Sequence, residues 1–199
     1  SYMMRGMSLI LDSFRSLIYC EKTVIAQVHG RAIGFGVQLV SGADLAIAAD
    51  NARFSHAEMR IGFGGLIVGT ALLDMLILGP KRYREWLLTG REISAQKALD
   101  WGVVNEIVPE DKLEERTLQW ARAVAAHSTD GLMVGKLMTQ TVYDLLGMSG
   151  AINATSVVHP LFTNLKWRDD EFNFLKVRTA EGASEAFRLR EEIWGKQGF

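Results

Sequence analysis

Cysteine is almost absent. Cys20 is the single one among 199 residues, so no intramolecular disulfide can form, and that composition suits a reducing compartment. An excess of charge of one sign is absent too: 22 basic and 23 acidic residues leave a formal net charge of −1. Nothing electrostatic therefore argues for nucleic acid or a membrane surface as partner. The four histidines, His29, His56, His127 and His159, have no metal-ligand spacing among themselves or with Cys20, so no metal site is expected. The apolar runs break well short of the roughly 18 residues that a membrane span needs. The opening SYMMRGMSLILDSF has one early arginine but neither a clean apolar block nor a cleavage site, and is not expected to be a signal peptide. There is no internal repeat and no low-complexity segment. Together these absences lead to the expectation of a soluble protein of the cytoplasm or the mitochondrial matrix.

What remains is an ordinary globular composition, 48% hydrophobic and 23% charged, long enough for one sizeable core, alone or with an appendage. Ile10, Phe14, Leu17 and Ile18 fall at helical spacing and predict an opening amphipathic helix. Thr23 to Val28 is short and β-branched, as a buried strand would be. A glycine loop follows, then a predicted helix over 37–43, another buried apolar run over 45–49 and a turn at Asp50-Asn51. Phe54 begins an extended piece ending at Glu58. Residues 71–78 and 83–88 predict helices separated by Gly79-Pro80, and Ser94 is placed to cap a helix over 95–101. Val103 to Val108 reads as a strand. Leu113, Thr117, Trp120 and Val124 share one helical face, and the pattern from there is helical, with one break at His159-Pro160.

The stretch GRAIGFGVQL, residues 30–39, carries the chemistry-bearing pattern. A strand running through a glycine-rich turn into a helix presents backbone N–H groups to negative charge. The dinucleotide fingerprint fails, because Gly34-Phe35-Gly36 is followed by Gln38 and Leu39 rather than a third glycine. The phosphate loop fails as well, because Val37 stands where lysine is needed. Two readings stay open: an oxyanion hole at the helix start, or glycines that only permit a tight turn and close packing.

The stretch TVIAQVHGRAIGFGVQLVSGADLAIAADNARFSHAEMRIGF resembles the central signature of the enoyl-CoA hydratase/isomerase, or crotonase, family. GREISAQKALDWGVVNEIVP is similar to its second signature, and EGASEAFRLR to its C-terminal segment. The resemblance runs from about Glu21 to near the end, with order and spacing kept. It implies an α/β fold: a crotonase-like ββα spiral core over 1–126, with its N-terminal part missing, then a helical oligomerisation region over 127–199. It also implies a homotrimer or a hexamer of stacked trimers. The implied substrate is an acyl-CoA thioester. No cofactor is implied beyond the coenzyme A carried by that substrate. The implied oxyanion donor is the Phe35 backbone N–H, flanked by Gly34 and Gly36, where family members commonly have glycine in place of Phe35.

Family hydratases use two glutamates twenty residues apart, and the matching positions here are Gln38 and Glu58. An amide can hydrogen-bond water but cannot take its proton. One carboxylate alone suits a 1,3-proton shift, with Glu58 removing an α-proton and returning it to the γ-carbon. That is the pattern of the family's Δ3,Δ2-enoyl-CoA isomerases, so an isomerase-like reaction is the leading expectation. A hydratase or cyclic acyl-CoA hydrolase using water oriented by Gln38 is the second. A non-catalytic paralogue serving as scaffold or RNA-binding subunit is the third.

Taken alone, Glu58 has a plainer reading as a partner of Arg60, and Gln38 as a hydrogen-bonded helix residue. His56, two residues before Glu58, would face the same side of an extended segment and contribute to the acyl pocket. The resemblance puts Gly64 and Gly65 in that pocket wall, while the plainer reading makes them a helix-entry turn. Phe187 and Arg190 fall where family members contact the adenine end of CoA, with one residue more than the usual spacing; packing of a terminal amphipathic helix is the alternative for Phe187 and Ile193. Residues 1–20 match none of the family's opening strands or its first oxyanion donor. The expectation is a portion of a longer protein, with a partner chain or an inactive form as the other possibilities; if 199 residues were the whole, poor solubility or inactivity would be expected.

Overall fold

A computed structural model describes residues 2–62, 70–158 and 165–198. The opening helix forms as α1 (Tyr2–Ile18). Leu11, Phe14 and Ile18 recur at helical spacing and are buried, packed in one cluster with Leu73, Met148 and Ile152. Full burial of a ring such as Phe14 contributes roughly 1.5–3 kcal/mol.

The strands come in twos that go to different sheets. β1 (Ile25–Val28) pairs in parallel with β3 (Leu45–Ala49), Ile25 opposite Leu45, and β3 pairs in parallel with β6 (Glu106–Val108). β2 (Arg31–Ile33) pairs in parallel with β4 (Arg53–Ser55), which pairs antiparallel with β5 (Ile93–Ser94). Among the described residues this makes two three-stranded sheets, ordered β1-β3-β6 and β2-β4-β5. The chain thus runs twice through one strand of each sheet and then a helix, the expected ββα spiral, whereas β5 and β6 have a helix between them. Ala46 to Ala49 of β3 are all buried, as befits the middle strand of a parallel sheet covered on both faces.

Helix α2 (Phe35–Gly42) joins β2 to β3, and α3 (Ala71–Thr89) follows β4. Residues 71–78 and 83–88, expected as two helices, are joined into α3 across a break at Gly79, whose φ of 71° and ψ of 160° leave the helical region. Glycine alone takes that conformation without strain, and the broken ladder removes the need for an N–H at Pro80. Helix α4 (Ala95–Asp100) begins where expected: the Ser94 hydroxyl accepts the Lys97 N–H at 3.2 Å, a cap worth about 1 kcal/mol.

Three expectations need correction. Residues 30–34 are not wholly loop, because β2 lies within them; its three residues are too few to show alternation. The extended piece from Phe54 stops at Ser55, and Glu58 adopts right-handed helical angles at the head of a 3-10 turn over Met59–Ile61. The strand expected from Val103 begins only at Glu106. Val103 and Val104 are buried in a turn, where the Val103 N–H donates to the Ala98 carbonyl.

The second half is helical: α5 (Leu113–Ala125), α6 (Thr129–Leu145), α7 (Met148–Val158), α8 (Phe174–Glu181) and α9 (Ala183–Gly195). The break expected at His159-Pro160 lies outside the described residues. No described helix is long and apolar enough to cross a membrane.

Candidate active site

Strand pairing explains why residues twenty apart in sequence meet. Ile33, the last residue of β2, stands opposite Ser55, the last of β4. The Gly34 N–H then donates to the Ser55 carbonyl at 2.9 Å, closing the two strand ends together. Gln38 lies one turn into α2, and Glu58 lies three residues past β4. Their side chains meet: Gln38 Nε2 donates to Glu58 Oε1 at 2.9 Å, with Gln38 wholly buried and Glu58 4% exposed.

Gly34 makes that meeting possible. Its φ of 57° favours glycine, and a Cβ there would sit 3.3 Å from Glu58 Oε1. Gly36 is less constrained, since its nearest contact would be Ala32 Cβ at 3.8 Å. Phe35 is the first residue of α2, so its N–H has no intrahelical partner, and no side chain caps this helix among the described residues. The Phe35 ring packs against the cluster around Phe14 and Met148.

Arg60 does not pair with Glu58. Its Nε donates to the Thr89 carbonyl at 2.8 Å, and its guanidinium lies 5.5 Å from the Trp194 ring centre. The 3-10 turn at Met59 points it towards α3 and α9 instead.

His56 is 1% exposed and stands between two carboxylates. Nδ1 lies 3.7 Å from Glu58 Oε2, and Nε2 lies 3.5 Å from Asp74 Oδ2. Its ring and that of Trp86 meet edge-to-face, centres 4.6 Å apart. Asp74, itself 2% exposed, accepts a 2.6 Å hydrogen bond from the Ser41 hydroxyl. Burial pulls the His56 pKa down, but the Asp74 and Glu58 carboxylates overcome it and carry it up to about 9. The Tyr83 hydroxyl is pushed up by burial first, then by Asp74 and Glu58.

Asp74, Ser41, Tyr83 and Trp86 were not foreseen from sequence. One signal was there: Asp74 is a lone acid in the apolar stretch ALLDMLIL, and a buried acid needs a partner. Gly64 and Gly65 lie outside the described residues. Phe187 is 46% exposed and packs against Phe174, ring centres 5.1 Å apart. The Arg190 guanidinium stacks over Phe187 at 4.9 Å and pairs with Glu191. With Arg31 and Arg60 it lines a crevice of about 30 Å³ beside Ser55 and Ala57. No group of three or more His, Cys, Asp or Glu among the described residues could hold a metal ion.

The fold is shared with solved crotonase-type structures. An enoyl-CoA hydratase/isomerase from Xanthobacter autotrophicus Py2 superposes with a TM-score of 0.84 over 95% of this chain and 69% of that one; at 24% identity this likeness speaks for the fold alone. An enoyl-CoA hydratase from Mycobacterium smegmatis is 26% identical, with a TM-score of 0.82 over 97% of this chain and 64% of its own. The enoyl-CoA hydratase/isomerase family model matches residues 7–163, and the chain belongs to that family. Among curated relatives, mevalonyl-coenzyme A hydratase SIDH of Beauveria bassiana (strain ARSEF 2860) is 39% identical over 178 residues. That match takes in 87% of this chain, which spans 59% of the relative's length.

Proposed function

We propose that the chain processes acyl-CoA thioesters through an enolate, with Glu58 as general acid and base. The observation that carries this reading is the buried Gln38–Glu58 pair, one carboxylate held by one amide. Gln38 occupies Glu58 Oε1, while Oε2 has no hydrogen-bond partner among the described residues. The Glu58 carboxylate is the group that takes the proton. In a Δ3-enoyl thioester it removes the α-proton, and the electron pair moves onto the thioester oxygen as a dienolate. The Phe35 N–H at the α2 start stabilises that charge, aided by the helix dipole. Glu58 then returns the proton to the γ-carbon, which leaves a Δ2-enoyl thioester and the original carboxylate. Coenzyme A enters only as part of the substrate. The helices over 127–199 are proposed to build a homotrimer or hexamer; exposed Leu137, Met138 and Leu145 on α6 support that.

A second reading is hydration. The relative's printed name, a hydratase, favours it, and so does Gln38 Oε1, which has no partner among the described residues and can accept a hydrogen bond from water. Mass spectrometry after incubation with Δ3- and Δ2-enoyl-CoA in D2O separates the two. Deuterium at the α-carbon with a shifted double bond and no added water supports isomerisation, and a gain of one water supports hydration. Unchanged exchange in Glu58→Gln overturns the role given to Glu58, and no exchange in the wild type favours the non-catalytic alternative.

A further inference from the structure

We propose that His56 is a positioning residue for Glu58: as a cation clamped between the Asp74 and Glu58 carboxylates, it fixes the orientation of the carboxylate from which the proton is transferred. This rests on Glu58 being the base, as proposed above. A neutral imidazole has one N–H donor and one lone pair. Here both ring nitrogens face carboxylate oxygens, at 3.7 Å and 3.5 Å, so the neutral ring would aim its lone pair at negative charge. Only the doubly protonated ring suits both neighbours. Side-chain exposures of 1%, 2% and 5% for His56, Asp74 and Glu58 leave little water to take over either role, and a dry interior holds charged groups only when they are paired.

The clamp is anchored away from Glu58. Ser41 on α2 donates to Asp74 Oδ1, which leaves Oδ2 turned to His56. Trp86, from beyond the Gly79 break, meets the His56 ring edge-to-face and restrains it. Gln38 holds Glu58 Oε1 from the other side. The titratable groups facing this arrangement are Asp74 and Tyr83 from α3 and Glu58 from the turn after β4. The separations from His56 exceed a hydrogen bond, as catalytic contacts in unliganded enzymes commonly do before substrate tightens them.

Two measurements test the clamp. In the first, the intact protein is labelled at histidine and titrated by NMR, with the His56 signal identified by its contact to the Trp86 ring. The signal is expected to stay that of the imidazolium through neutral pH and to titrate near 9 in the wild type, and lower in Asp74→Asn. Titration at or below about 6.5, the unperturbed value, overturns the proposal. In the second, turnover of the substrate identified in D2O is compared across variants. His56→Gln and Asp74→Asn are expected to lower kcat by about 10²-fold, the scale of a misplaced group, with KM nearly unchanged. Asp74→Asn should also move the alkaline limb of the kcat profile to lower pH. Folded variants with wild-type kcat while Glu58→Gln is inactive overturn this inference alone. Full turnover by Glu58→Gln instead overturns the assignment of the base. Should His56→Gln fail to fold, Asp74→Asn and the wild-type titration still decide.

Discussion

Charged side chains gather in two places that differ in almost everything but charge. Along α9, Glu185, Arg188, Glu192 and Lys196 form a ladder with contacts of 2.5 Å to 3.1 Å. In the interior, His56 stands 3.5 Å and 3.7 Å from its two acids. By distance alone the surface ladder looks the stronger. Water and salt screen it, and ordering long side chains offsets most of its attraction, so exposed pairs contribute little. The interior groups have almost no water to fall back on, so a longer contact there weighs more than a short one at the surface.

Four experiments would break or sharpen that contrast. The largest effect is expected for Glu58→Gln, an almost isosteric change: turnover should fall by about 10²–10⁴-fold, the range for loss of a general acid–base group, with circular dichroism unchanged. Next is the pH dependence of stability. The folded pKa of His56 is raised from 6.5 to about 9, so its contribution is fully present below about pH 6.5 and is lost as pH rises through 9. That contribution is at most roughly 3 kcal/mol. The wild-type Tm should fall across this window, and the same limb should be missing in His56→Gln. Gly34→Ala comes third. It forces a side chain into φ of 57° and against Glu58 Oε1, at a cost of about 1–2 kcal/mol. Chemical denaturation should show it as a lowered midpoint, with activity reduced as well. Arg188→Ala should be smallest, with Tm and its salt dependence the same as wild type. A large loss of stability in that variant would undo the contrast between surface and interior.

Much of this was legible in the sequence, and the rest was hidden for specific reasons. Phe14 and Ile18 declare α1 by period, although Ile10, read with them, is exposed and Leu11 is buried in its place, and the Ser94 cap marks the start of α4. The meeting of Gln38 and Glu58 was readable from resemblance, although the strand ends that cause it were not. β2 is too short to announce itself, and Val103 and Val104 are apolar for a buried turn rather than a strand. Asp74 was missed for a different reason. Its partner, His56, belongs to another element, and local periodicity says nothing about which acid a distant helix delivers to which base.

The edge-on contact between His56 and Trp86 has an optical consequence. An imidazolium beside an indole accepts an electron from the excited ring and quenches its emission, whereas a neutral imidazole does so weakly. Trp86, wholly buried and hydrogen-bonded through Nε1 to the Arg91 carbonyl at 3.0 Å, thereby becomes a built-in fluorophore. Its share of the emission from the five tryptophans is expected to rise as the neighbouring ring loses its proton, without any added dye.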